Sequence, residues 1–327
     1  MDDNLHYRDT RTGRIYWDTA RKLEFLTVGD YGKENNIKAN FLGLTKEING
    51  VEHHDVDLHD KWVATISTQK GCPCRCRFCD VPKFGFFGNA TMDDLEYQIT
   101  TILADNMGVG RTKRFNVHFA RMGEPTYNFN VVRFTNLYLR DIIERRLEAE
   151  TVHPVVSTMM PRGNSNLENF LHEWCLLKNK VYHGEAGLQL SINSTDEEQR
   201  RWQFRGRSWD LASVSRFASE LPDPVGRKYT LNFAVTKDTI LDAAKLSDLF
   251  DPKRFIVKIT PIHETANAAE NGFDKTTTYE DYDVYRKFEE PLLAKGWDVI
   301  VFVPSKEEDA DRITCGNALI ADGLERK

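Results

Sequence analysis

Cys72, Cys76 and Cys79 lie in the run Gly71-Cys72-Pro73-Cys74-Arg75-Cys76-Arg77-Phe78-Cys79, a C-x3-C-x2-C spacing. Three thiolates this close cannot complete a four-cysteine cage. A cluster held by them keeps one iron without a protein ligand, whereas closed iron–sulfur sites carry four cysteines. An open position is what a catalytic metal needs. Open iron can take the amino and carboxylate groups of S-adenosylmethionine and pass an electron to its sulfonium, which is cofactor-borne radical chemistry that a protein aims. The loop therefore predicts a 4Fe-4S cluster and S-adenosylmethionine as cofactors.

Zinc sites usually pair two C-x2-C halves, and no second half is present. The remaining cysteines are Cys74, Cys175 and Cys315. Cys74 adds a C-x-C spacing that keeps zinc open on spacing alone. A disulfide framework belongs to small secreted chains. This chain has 327 residues, 40% hydrophobic and 29% charged, with no apolar run of membrane-spanning length. Met1-Asp2-Asp3-Asn4 lacks the basic and apolar parts of a signal peptide. The expected location is the cytoplasm, where thiols stay reduced. A net charge of −6 argues against a broad nucleic-acid-coating surface and leaves room for a local basic patch.

From residue 61 onward, strand-like runs alternate with helical ones. Strands are predicted at Val63–Ser67, Phe115–Ala120, Val155–Thr158, Leu188–Ile192, Thr230–Val235, Phe255–Ile259 and Val299–Val303. Helices are predicted from Thr91 to Asn106 and at Val131–Leu147, Leu167–Leu177, Leu241–Phe250 and Tyr282–Lys295. Such alternation implies a parallel sheet with crossover helices, here a partial (β/α)6 barrel or an open doubly wound sheet. Either puts chemistry at the C-terminal strand ends, and the cysteine loop follows the first of these strands. Residues 1–60 read as a small N-terminal extension with short strands at Leu23–Val28 and Ile37–Leu42, and 61–327 as the barrel. Asn267–Lys275 reads as a long mobile loop.

Further polar groups fall at strand ends. Gly123-Glu124-Pro125 follows the second strand, where glycine allows close backbone approach and Glu124 can accept from an ammonium. Ser157 and the run Ser191-Ile192-Asn193 can contact ribose or carboxylate. Each alone is a weak signal.

In order, these segments resemble the radical S-adenosylmethionine RNA methyltransferases that act on adenine carbon 2 or carbon 8. The likeness runs from about residue 45 to 320. It includes Ser67-Thr68-Gln69-Lys70-Gly71 and the cysteine loop, Gly85-Phe86, Asn89, Met122-Gly123-Glu124-Pro125 with Asn128, Ser157-Thr158, and Ser191-Ile192-Asn193. In Ile259-Thr260-Pro261-Ile262-His263, His263 replaces the family's asparagine. Asp309-Ala310-Asp311-Arg312-Ile313-Thr314-Cys315-Gly316 matches the segment of the methyl-carrying cysteine, and Val51-Glu52 places Glu52 as the proposed proton acceptor. The resemblance implies cluster ligands Cys72, Cys76 and Cys79, cofactor contacts from Gly123, Glu124, Ser157, Ser191, Ile192, Asn193 and His263, a methyl group on Cys315, and an electron donor of flavodoxin or ferredoxin type. Two departures matter. Thr65 stands where the family has the thiol that frees the product, leaving Cys74, Cys175, another route or another reaction. The family's helical N-terminal RNA-binding domain has no counterpart in the 60 residues before the barrel.

Arg200, Arg201, Arg205 and Arg207 interleave with Trp202, Phe204 and Trp209, as in sites for single-stranded nucleic acid. The same pattern also fits an amphipathic helix start with its aromatics in the core. Arg111, Lys113 and Arg114 read as a solvated turn. The leading expectation is methylation of an sp2 carbon of adenine in RNA. The alternatives are a radical enzyme for a nucleotide, small heterocycle or peptide, and an inactive cluster- or zinc-bearing interaction protein.

Overall fold

A computed structural model describes residues 3–28, 58–273, 282–304 and 306–322. Its strands are β1 (Leu5–Asp9), β2 (Gly13–Asp18), β3 (Leu23–Val28), β4 (Trp62–Thr65), β5 (Gln69–Gly71), β6 (Phe86–Asn89), β7 (Arg111–Phe119), β8 (Glu148–Thr158), β9 (Gly187–Ser191), β10 (Tyr229–Val235), β11 (Phe255–Pro261) and β12 (Val299–Val301). The main sheet runs β1-β2-β3-β4-β7-β8-β9-β10-β11-β12, while β5 and β6 form a separate hairpin. Every neighbour pair from β4 to β12 is parallel. This is the expected barrel-like α/β order, left open: β1 and β12 are its two edges among the described residues. The N-terminal strands extend it antiparallel, β3 pairing with β4.

Alternation along the strands creates two different faces. On β10 and β11, Leu231, Phe233, Val235, Phe255, Val257 and Ile259 are buried in the main core with helix residues such as Leu171, Trp174 and Leu246. Burying each of these side chains contributes about 1.5–3 kcal/mol. Between them, Thr230, Asn232, Ala234 and Lys258 retain partial solvent access. The helix at Met92–Asp105 begins with a capping box, Thr91 accepting from Asp94 N and Asp94 from Thr91 N.

Several sequence expectations need correcting. The single helix at Val131–Leu147 is two, Asn130–Leu137 and Leu139–Glu144, broken where Tyr138 leaves helical geometry (φ −130°). The helix expected at Leu241–Phe250 is shorter, Ala243–Leu249, because Asp242 caps it by accepting from Ala244 N and Lys245 N. Strand β8 starts seven residues early despite Pro154; β9 joins it only from Val155, so the proline's missing donor falls where one flank has no neighbour. Arg111, Lys113 and Arg114 belong to β7. Arg111 and Lys113 face Glu150 (2.9 Å) and Asp60 (2.7 Å), whereas Arg114 turns to His153 (3.4 Å). Ile37–Leu42 lies outside the described residues.

Candidate active site

Leaving β4, the chain enters the β5–β6 hairpin that carries the cysteine loop. Gly71 sits at φ +84°, and a Cβ there would meet the Gly85 carbonyl oxygen at 1.9 Å, so only glycine allows the hairpin to close. Cys72 N donates to the Gly85 carbonyl (3.1 Å). The loop is held along one side by the segment that follows β11. Thr265 Oγ1 donates to the Phe78 carbonyl (2.9 Å), Asn271 Nδ2 to the Arg77 carbonyl (3.2 Å), and Asn267 Nδ2 to the Cys79 carbonyl (2.5 Å). Asp80 accepts from Ala266 N and Asn267 N (3.0 and 2.8 Å) at the start of the helix Ala266–Glu270. The segment expected as a mobile loop from Asn267 is thus, up to Phe273, a helix-led belt around the cysteines; Lys275 lies outside the described residues.

The three thiols face one another electrostatically. Burial and the neighbouring thiols hold Cys76 and Cys79 above the ordinary cysteine range. Two thiols that resist ionising, Cys76 and Cys79, suit an iron centre, which ionises thiols on binding. No group of three metal-binding side chains among the described residues is already arranged at metal-holding distances. Cys72 is turned toward Cys74, and a hydrogen bond between the two lowers Cys72 and raises Cys74. Ligation by Cys72 therefore requires it to release that bond. Cys74 itself packs with Met159 and Phe204.

Gly123 (φ +99°) seats the next turn against this hairpin: a Cβ would lie 2.6 Å from Gln69 Cβ and 2.8 Å from Thr68 Oγ1. Thr68 N and Gln69 N donate to the Met122 carbonyl, and Glu124 N donates to Gln69 Oε1 (2.8 Å). The Glu124 carboxylate accepts from Met159 N (3.0 Å) and Thr126 Oγ1 (2.8 Å). Burial still raises its pKa, ahead of these opposing bonds.

Ser157, the penultimate residue of β8, and Ser191, the last of β9, alternate with buried core residues and keep partial solvent access. The Ile192 side chain is fully buried in the main core, so only its backbone is offered to the site. Asn193 adopts φ +61°, and its Oδ1 accepts from Ala234 N (3.2 Å), which commits that oxygen to bracing β10. His263 lies beyond β11 with Nδ1 3.6 Å from Asp309 and no hydrogen bond to it; burial lowers its pKa. Glu52 lies outside the described residues.

The Cys315 segment reaches the cluster loop directly. Asp80 N donates to the Gly316 carbonyl (2.8 Å), and a Cβ on Gly316 (φ +82°) would stand 3.6 Å from Cys79 Sγ. Sequence reasoning missed the pair that holds this segment. Buried Arg121 and Glu24 form an ion pair. Arg121 also donates to the carbonyls of Arg312 (3.0 Å), Thr314 (3.2 Å) and Asn317 (3.3 Å), while Glu24 accepts from Leu319 N (3.1 Å) and Ile320 N (2.6 Å). The Cys315 side chain is open to solvent, yet the dense surroundings of its sulfur raise its pKa, opposed by Lys258 and Arg121.

Thr65 ends β4 opposite His118 of β7. Cys175 is fully buried on the helix Leu167–Lys180, hydrogen-bonded to Tyr229 at the start of β10, the end of the sheet away from the cluster loop. The arginine-rich segment divides. Arg200 is buried, its guanidinium donating to the carbonyls of Ile192 (3.1 Å) and Trp209 and to Ser208 Oγ (2.9 Å). Phe204 is also buried. This corrects the reading of Arg200 and Phe204 as nucleic-acid contacts. Arg201, Trp202, Arg205 and Arg207 are exposed, and Trp202 packs at a tilt against Phe273 (4.9 Å) under Arg77 (5.2 Å), beside the cluster loop.

The fold is similar to that of a radical SAM methyltransferase from Sphaerobacter thermophilus: the structure aligns over 96% of the chain with 81% of that protein, at a TM-score of 0.61 and 16% identity. No protein-family model matches the chain. Curated relatives do. It is 27% identical over 218 residues to a probable dual-specificity RNA methyltransferase RlmN of Heliobacterium modesticaldum, covering 63% of this chain and 52% of that protein. It is 24% identical over 270 residues to the Pseudothermotoga lettingae counterpart, covering 81% and 70%. The chain is thus similar in sequence to dual-specificity RNA methyltransferases and in fold to a radical SAM methyltransferase. It spans about half the length of the first relatives it matches, at 52% and 56%.

Proposed function

We propose that this protein is a radical S-adenosylmethionine methyltransferase that methylates an sp2 carbon of adenine in RNA, with Cys315 as the methyl carrier. The observation that carries this reading is the seating of the Cys315–Gly316 turn on Cys79 and Asp80. A methyl group on Cys315 Sγ is thereby held beside the three thiols. In this reading Cys72, Cys76 and Cys79 hold a 4Fe-4S cluster, and Glu124, Ser157, Ser191 and the Asn193 backbone line the S-adenosylmethionine site. When bound, cluster and S-adenosylmethionine supply one-electron cleavage and hydrogen-atom abstraction. The protein keeps Cys315 in reach by the Glu24–Arg121 clamp and holds the cysteine loop by the belt from Thr265 to Asn271.

Exposed Arg201, Arg205 and Arg207 around Trp202 supply phosphate and base-stacking contacts at the edge of the site. The reductant is a small flavodoxin- or ferredoxin-type protein, and the setting is the cytoplasm. No helix among the described residues is long and apolar enough to cross a membrane. Release of the product does not use a thiol at position 65. Cys175 is too far along the fold for it, and Cys74 is packed on Met159 and Phe204.

The test is anaerobic turnover of the reconstituted enzyme with reductant, S-adenosylmethionine and RNA from a host lacking the protein, followed by nucleoside analysis. Methyladenosine modified at a ring carbon, formed together with 5′-deoxyadenosine, is the expected result. 5′-Deoxyadenosine with unmodified RNA would turn the search to nucleotide, heterocycle or peptide substrates.

A further inference from the structure

In a closed barrel the interior positions are filled by branched apolar side chains. Here they are polar and wet. Ser157, Gln189, Ser191, Asn232 and Lys258 face inward, keep partial solvent access, and make no side-chain hydrogen bond to another described residue. Each is flanked in sequence by fully or nearly fully buried core residues, so this exposure is confined to the inner face. Buried polar groups are normally partnered. Ser157 and Ser191 of this row belong to the proposed cofactor site, which leaves Asn232 and Lys258 facing the interior for another ligand.

Register sharpens the row into a rung. Ser191 pairs with Asn232, and Asn232 with Lys258, on three adjacent parallel strands. Neighbouring strands lie about 4.8 Å apart, so the three side chains stand next to one another on one face. The Lys258 ammonium lies 5.2 Å from the centre of the Phe302 ring. Burial lowers its pKa, with Arg227 adding to that shift and Cys315 opposing it. On β7, lower in the same interior, Asn116 Nδ2 is buried with no hydrogen-bond partner. The interior thus presents an amine and amide donors beside one aromatic ring, near Cys315.

We propose that Asn232 and Lys258, next to Ser191 of the cofactor site on this rung, form an anion subsite for the substrate, in which Lys258 binds a phosphate of a nucleotide unit and Asn232 donates a second hydrogen bond to it. Lysine's compact ammonium with three donors suits phosphate oxygens, and Phe302 beside it offers a face for the attached base. The nucleotide assignment rests on the proposed function; the anion subsite does not. Such an anchor fixes the base relative to the methyl carrier, which converts binding into orientation.

Inorganic phosphate and adenosine 5′-monophosphate are the probes, titrated into anaerobically reconstituted protein with 31P NMR, for wild type, Lys258→Gln and Asn232→Ala. Iron content and circular dichroism show that the variants are folded. The expected result is saturable phosphate binding that weakens roughly tenfold in Lys258→Gln, with the monophosphate binding more tightly than phosphate in wild type. Phosphate binding lost in Lys258→Gln, with no gain from the adenosine, keeps the subsite and removes the adenine reading. No phosphate binding, or equal binding by wild type and Lys258→Gln, overturns the proposal. So does a Lys258→Gln defect confined to S-adenosylmethionine affinity, which would assign Lys258 to the cofactor's carboxylate.

Discussion

The inner and outer faces of the same strands obey opposite rules. Outward, Leu231, Phe233, Val257 and Ile259 are fully buried beneath helices; inward, their immediate neighbours Asn232 and Lys258 meet solvent. The period-two geometry of a strand lets one seven-residue segment serve stability with one set of side chains and chemistry with the other. Substitutions one residue apart therefore separate the two. Phe233→Ala removes a core aromatic and is expected to cost about 3–5 kcal/mol in urea unfolding. Asn232→Ala is expected to shift unfolding by no more than about 0.5 kcal/mol while weakening ligand binding. Equal losses at both positions would break the two-face account.

A smaller effect sharpens where the inner site is assembled. Glu24→Gln keeps an acceptor but removes the charge opposite Arg121, and the expected cost is about 1.5–3 kcal/mol. Amide exchange should quicken in residues 312–320 and stay slow in β9–β11. Uniform loosening would deny the clamp a local role.

The lower interior is expected to show in the pH dependence of stability. His153 is buried, with Nδ1 3.0 Å from the Glu185 carbonyl, and burial beside Arg114 and Arg227 depresses its pKa from 6.5 to about 3. Although Glu185 Oε2 lies 3.1 Å away, the ring stays neutral because desolvation and the two arginines outweigh that contact. Below pH 6.5 the unfolded chain binds a proton that the folded chain refuses. Stability from this group is complete above 6.5 and falls as pH drops toward 3. His153→Gln should flatten that decline in urea titrations; an unchanged slope would place the acid sensitivity elsewhere.

The smallest expected effect is on the rim. Arg205→Ala should weaken RNA binding modestly and lower the salt dependence by about one counterion. An unaltered salt slope would remove this segment from the RNA path.

The alternation of strands and helices and the local capping signals made the parallel sheet legible before any coordinates. So was the cysteine loop, because its chemistry is written in contiguous residues. What escaped depends on contacts distant in sequence. Glu24 and Arg121 are 97 residues apart, and the backbone N–H groups and carbonyls they hold lie nearly 200 residues beyond Arg121. Arg200 looked like a phosphate contact because composition cannot tell an exposed guanidinium from one buried against the carbonyls of Ile192 and Trp209. Lys258 was invisible because a single lysine in an apolar strand has no signal until register sets it beside Asn232. The helix after Thr265 was read as loop because its stabilising partner, Asp80, comes from the cysteine loop.

The central claim is that Cys315 carries the methyl group. It is tested by incubating the anaerobically reconstituted protein with S-adenosylmethionine labelled in its methyl group, digesting it, and mapping the label by mass spectrometry. The account predicts label on the peptide containing Cys315 and none on that peptide in Cys315→Ala. An unlabelled Cys315 in protein that still produces 5′-deoxyadenosine would contradict it.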